Sequence, residues 1–368
     1  MDSAAQAESS GGSLDRDGAS IDDLTPEPSP GALIDSETEL FRRWRDELTD
    51  ASGLGYAEIK KQLTPRYAWL WTQIGLAYLF TASIVVALVM LQPVLSTWWQ
   101  YVIAVWLGAL GIGFLVAFFA LWFHEATHFH LHPNRMWNDR LANWLLGILL
   151  IHDVRTYRRV HFAHHKHLGE CEDTERNYFD ALGVRTLLES LTGIKVMRTL
   201  LIRSDVKKAD VSKATNSPET YREWVSTTGK ILHFAVICTS VYFGEYMLAA
   251  AWAVGVISMF PFFAALRQLM EHRRPDADPA CDYTQEAHGA YTRIFKGRLF
   301  ANTFGGAGFN RHLIHHWDPG ISCTRFVEME CFLEQSQLGE FYRSRKTTYA
   351  DALRLLLRQS ASGKSVDA

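Results

Sequence analysis

Residues 101–123 read YVIAVWLGALGIGFLVAFFALWF, without one charged side chain, and run straight into His124-Glu125-Ala126-Thr127-His128. A helix crosses the hydrocarbon core of a bilayer with about 20 apolar residues, and soluble cores rarely hold an uncharged run of that length. The chain therefore reads as an all-α integral membrane protein in which the first histidines continue a membrane span.

The surrounding sequence fits this reading. Residues 68–92 are again uncharged and stop at Pro93. A second pair of apolar runs, 231–243 and 247–266, is split by Gly244-Glu245-Tyr246; its first arm is short and spans only if that turn is tight. Four transmembrane helices in two hairpins are expected. The run 141–151 is too short to cross and belongs to an interfacial helix or a soluble cap. Links 93–100 and 244–246 carry no Lys or Arg; the stretches before residue 68, between 124 and 230, and after 266 carry all of them. By the positive-inside rule those three stretches are cytosolic. Both termini and a helical cap bearing the histidines then share the cytosolic face, of a bacterial inner membrane or an internal eukaryotic one. Residues 1–33, rich in Ser, Gly, Asp and Pro, are expected to form a disordered acidic tail without a targeting pattern. Residues 34–64 read as an amphipathic pre-membrane helix, with Leu40, Trp44 and Leu48 four apart, closed by Thr64-Pro65. A catalytic domain over 65–335 and a C-terminal helix and tail over 336–368 complete the division. A formal net charge of -3 gives no nucleic-acid signature, and five cysteines without a CxxC pair suggest neither a disulfide framework nor a structural zinc site.

Histidine is the unusual residue: of fifteen, eleven fall in three clusters. The first is His124-x3-His128, with His130 and His132 beyond it. The second is His161-x2-His164-His165, followed by His167, and the third is His312-x2-His315-His316. Residues i and i+4 share a helix face, so His124 and His128 can grip one metal. In the other two clusters the first pair, three apart, is expected to share a face, and the last histidine, about 100° further round, to reach a second metal. Imidazole suits iron, zinc, copper and nickel. Eight histidines exceed the ligand capacity of one ion, so two metals are implied. His233, inside an apolar run, reads as a packed histidine. Box one also spells HEATH, the HExxH pattern of zinc proteases, with Glu125 as the base. An intramembrane zinc metalloprotease would leave both HxxHH clusters without a purpose. Transport sites lie near the membrane midplane, whereas these clusters sit at span ends.

In type, order and spacing the three boxes resemble those of the membrane fatty acid desaturases and related lipid and carotenoid oxygenases. Asn134-Arg135, Asn138-Asp139, Asp173, Asn310 and Pro319 extend the likeness over roughly residues 65–325. The resemblance implies two iron ions held by His124, His128, His161, His164, His165, His312, His315 and His316, with His272 as a further ligand after the fourth span. Gln268, four residues earlier, occupies the place of an amide that holds a metal through water in some members. The implied chemistry is oxygen-dependent attack on a lipid or fatty-acyl chain, most simply desaturation; hydroxylation or ketolation of a lipid, carotenoid or alkane is the alternative. The metals must carry it, since no side chain has the oxidising power. Asp173 and Glu175 either orient metal-bound imidazoles or are solvated loop charges. The aromatic-rich segments 69–71 and 114–123 either line a substrate tunnel or face lipid. With no dinucleotide fingerprint, cytochrome b5-like segment or iron–sulfur pattern, a separate ferredoxin, rubredoxin or cytochrome carries electrons. Arg155, Arg158 and Arg159 either dock it or lie near anionic lipid.

Overall fold

The computed structural model describes residues 37–194, 223–297 and 299–362. The tail expected over 1–33 and the last residues of the C-terminal segment lie outside them. Helix α1 (Glu37–Trp44) passes through a 3-10 turn into an isolated bridge, Thr49 to Gly55, before α2 (Tyr56–Gln62). The single helix expected over 34–64 is thus corrected to two. The Asp50 carboxylate accepts from the amides of Ser52 and Leu54, and Gly53 takes a φ of 84°, so the chain turns where a continuous helix would have exposed polar residues on every face.

Two long helices follow, α3 (Tyr67–Leu91) and α4 (Trp98–Thr127). Thr97 and Gln100 form a capping box that starts α4. At 1.5 Å per residue α4 is about 45 Å long, against a hydrocarbon core of about 30 Å. The excess carries box one beyond the apolar stretch. A short helix, α5 (Arg135–Leu141), starts under the side-chain cap of Asn134 and continues through a π-helical turn, Ala142–Gly147, into Ile148–Leu150. This is the run too short to span, and Leu146 and Leu149 are buried. Helix α6 (Val154–Lys166), capped by Asp153, carries box two, and α7 (Val184–Leu191) follows.

Three described helices are long and apolar enough to cross a membrane: α3, α4 and α9 (Tyr246–His272). The fourth expected span is helical, as α8 (Glu223–Tyr242), but Glu223, Thr227, Thr228 and Lys230 make its first turns polar. Large apolar side chains point outward along these helices: Met90 is 67% exposed, Leu107 64% and Phe234 70%. Patches of this kind are unfavourable in water and suit lipid contact. Helix α9 contains a π-helical turn, Gly255–Met259. There it meets α4 closely, because Gly113 lacks a Cβ that would touch Met259 and come within 2.8 Å of the Gly255 carbonyl. Small residues at such contacts let membrane helices pack by dispersion.

The remaining chain gathers at the histidine-bearing ends of α4 and α9. A two-residue parallel ladder joins β1 (Ile294–Phe295) to β2 (Lys346–Thr347). Between them lie α10 (Leu299–Phe304), α11 (His312–Trp317, box three), α12 (Phe326–Gln335) and α13 (Gly339–Ser344). The final helix, α14 (Tyr349–Ser362), is anchored by Tyr349 stacking on Phe295 at 3.8 Å.

Candidate metal centre

Nine histidines from four helices converge in two adjoining sets. His124, His128, His161, His165 and His315 form the first, with their ligand nitrogens within 4.8 Å of one another. His164, His272 and His316 form the second, and His272 also groups with His312 and Glu271. The distribution within the HxxHH boxes corrects the sequence expectation. The first and last histidines of each box go together, His161 with His165 and His312 with His316, while the middle one crosses to the other set. Four residues advance a helix to within about 40° of its starting face, three to within about 60°, so i and i+4 stack on one face. The middle histidine stitches the two sets together.

The local chain explains the aim of each ring. Box three follows a kink at Ala307 and Gly308, both at positive φ, which starts α11 afresh. Box one ends at Phe129, φ 64°, and the chain turns so that His130 Nδ1 donates to Glu125 at 3.0 Å. In box two His161 Nδ1 meets Glu175 at 3.1 Å and His164 Nδ1 meets Asp173 at 2.8 Å. His272 Nδ1 meets the Tyr291 carbonyl at 3.1 Å. These oxygens only accept, so each Nδ1 carries the proton and each Nε2 presents a lone pair inward. Asp173 is fixed in turn by the Glu175 amide at 2.8 Å and the Tyr178 hydroxyl. Glu175 is held by Gln268 and Tyr157.

This donor set fits a pair of cations. His165 Nε2 lies 2.8 Å from both His161 Nε2 and His315 Nε2, and His312 Nε2 lies 3.1 Å from both His272 Nε2 and His316 Nε2. Neutral imidazoles have one N–H each, so such clusters of inward lone pairs need a shared positive partner. Both nitrogens of the buried His124 have no hydrogen-bond partner among the described residues. Burial pushes His165, His312, His315 and His316 well below the ordinary histidine range, and the neighbouring rings add to it. His161 is lowered by burial against the opposing pull of Glu175. His164 is different: burial lowers it, but Glu175 and Asp173 outweigh burial and raise it. Those carboxylates equally strengthen its lone pair toward a metal. Glu175 stays ionised, since His164 and His161 overcome its burial.

A profile of the family described as fatty acid desaturase matches residues 96–347, more than half of the chain. The chain belongs to the fatty acid desaturase family. No curated protein sequence matches it in a whole-sequence comparison. Membership makes it a lipid oxidoreductase of a family that uses iron, acting on a lipid or fatty-acyl substrate, and the three long apolar helices fit a membrane protein.

Other residues singled out in this desaturase-family chain fall into place by their contacts. A mostly apolar cavity of about 200 Å³ is lined by Phe114, Phe118, Leu121, Phe123, Phe263 and Tyr157 among others. The ring of Tyr157 stacks on His161 at 5.8 Å, so the cavity abuts the first histidine set. The segment 114–123 lines it; Trp69 instead packs edge-on against Trp122 and is exposed. Gln268 donates to Glu175 and accepts from Asn177, bracing a carboxylate that meets His161. Glu125 Oε2 is held by Ser322, the Cys323 amide and His130. Arg158 Nη2 pairs with Asp139 at 2.6 Å, Arg158 donates to the Ala126 and Thr127 carbonyls at the end of α4, and Arg155 joins Asp139 at 3.1 Å. The basic run is therefore in part a helix cap. His233 accepts from Trp252 and bonds the Leu149 carbonyl, a packed histidine. Glu271 and Tyr291 escaped the sequence reading. Position gave a signal for Glu271 alone, which directly precedes His272.

Proposed function

We propose that the protein is an oxygen-dependent desaturase with two irons that introduces a double bond into a lipid or fatty-acyl chain. The adjoining histidine sets beside an apolar cavity carry this reading. His124, His128, His161, His165 and His315 would hold one iron, and His164, His272, His312 and His316 the other. Bound there, the irons supply the oxidising power to break an unactivated C–H bond. Asp173, Glu175 and the Tyr291 carbonyl keep Nδ1 protonated and the rings aimed. The aromatic wall of the cavity takes the acyl chain and excludes water from the reacting carbons. Removing a hydrogen pair from substrate while reducing oxygen to water leaves electrons to be supplied, so a separate ferredoxin, rubredoxin or cytochrome donates them. The protease reading is disfavoured because it needs one metal and leaves both HxxHH boxes without a purpose, although they supply most of the converging imidazoles; Glu125 Oε2 is held by Ser322, Cys323 and His130.

The membrane reading extends to α8 as the fourth span, with both termini and all boxes on the cytosolic side. Cysteine labelling tests it: residues 93–100 should label from the face opposite His161. The chemistry is tested by lipid profiling of cells expressing the protein or His315→Ala, against an empty vector. Products lighter by a hydrogen pair support desaturation, and products heavier by an oxygen atom replace it with hydroxylation. Activity restored by zinc and not by iron would sink both.

A further inference from the structure

The side chain of Glu271 is fully buried, and neither carboxylate oxygen has a hydrogen-bond partner among the described residues. Its backbone is fixed by the Arg293 amide, which donates to the Glu271 carbonyl at 3.0 Å. Oε1 lies 3.5 Å from Arg267 Nε, without hydrogen-bond geometry, and that nitrogen is itself buried and unpartnered. Oε2 lies 3.6 Å from His312 Nε2, and a Glu271 oxygen falls within 4.8 Å of the donor nitrogens of His272 and His312. A buried carboxylate without hydrogen bonds is costly unless a cation meets it. Arg267 meets Oε1 as an ion pair without a hydrogen bond, which leaves Oε2 open toward the donor nitrogens of His272 and His312.

We propose that Glu271 is a carboxylate ligand of the second metal, an inference that rests on the two-metal reading above. The second set then has four imidazoles and one anionic oxygen, against five imidazoles in the first. The two metals are chemically unequal, and the hard, charged donor favours the more oxidised iron at the second position.

The test uses the full chain purified anaerobically with iron, and compares wild type with Glu271→Gln and Glu271→Asp. Iron per chain, release to a graded chelator and the Mössbauer spectrum are measured. Wild type should hold two irons as two unequal doublets. Glu271→Gln, of nearly the same shape, should release one iron at about ten-fold lower chelator concentration or less and change one doublet, with Glu271→Asp between them. If Glu271→Gln keeps both irons with an unchanged release profile and spectrum, the carboxylate is not a ligand and the histidine centre stands. If wild type fails to bind two metals, the centre itself falls, and this proposal with it. Should Glu271→Gln not accumulate, Glu271→Asp decides: a shifted release step with one altered doublet supports the proposal, and a release profile and spectrum identical to wild type overturn it.

Discussion

Asp173→Asn is a near-isosteric change at a carboxylate with several partners. Asp173 accepts the His164 Nδ1 proton at 2.8 and 3.0 Å from its two oxygens, and it also receives the Tyr178 hydroxyl and the amides of Glu175 and Gly169. Asparagine keeps one acceptor oxygen and turns an NH2 toward one of these donors. It also removes the charge that, with Glu175, overcomes burial and raises His164. Outer partners of ligating histidines are worth about 10–100-fold in metal affinity, or about 1.4 to 2.8 kcal/mol. A charge-assisted hydrogen bond to a buried partner, about 1.5–3 kcal/mol, gives the same size independently. His164 belongs to the second set, so in a chelator titration of the iron-loaded protein only one of two release steps should move, by one to two decades. Glu172→Gln, an exposed neighbour, should leave both steps in place. An unchanged titration for Asp173→Asn would make Asp173 a loop charge. Equal movement of both steps would mean that it supports the fold rather than one metal.

Three other outcomes follow from packing and bonding. His315→Ala should abolish turnover and lower bound iron, whereas His233→Ala, which loses only the Leu149 and Trp252 contacts, should lower thermal stability by about 1–3 kcal/mol and keep both irons. Arg158→Met should destabilise by about 1–3 kcal/mol in thermal unfolding, since it leaves Asp139 to Arg155 and Asn138 and frees two helix-end carbonyls; the exposed Arg159→Ala should change stability by less than about 0.5 kcal/mol. Gly113→Leu should cost about 1–3 kcal/mol or prevent assembly by forcing α4 from α9, while Gly75→Ala, with open space around it, should be tolerated in the same melting assay.

The sequence by itself determined three long apolar helices, against an expectation of four spans, and the identity of the histidine boxes, because both are local. An uncharged run of residues 101–123 is apolar whatever surrounds it, and HxxxH or HxxHH spacing survives in any fold that keeps those residues helical. The same locality explains where that reading stopped. Polarity in the first turns of α8 is visible in sequence, yet residues 34–64 showed helical spacing that the turn at Asp50 and Gly53 breaks. Only the tertiary structure decided which histidine joins which set, since His164 and His315 are assigned by the relative rotation of α6 and α11. It likewise separated Asp173 and Glu175, which meet imidazoles, from Gln268, which braces Glu175, although all three are polar residues near boxes. Their roles depend on contacts between segments as many as 93 residues apart, as for Gln268 and Glu175. Hydrogen bonds of that range are set by how helices pack, and no periodicity within one segment encodes them.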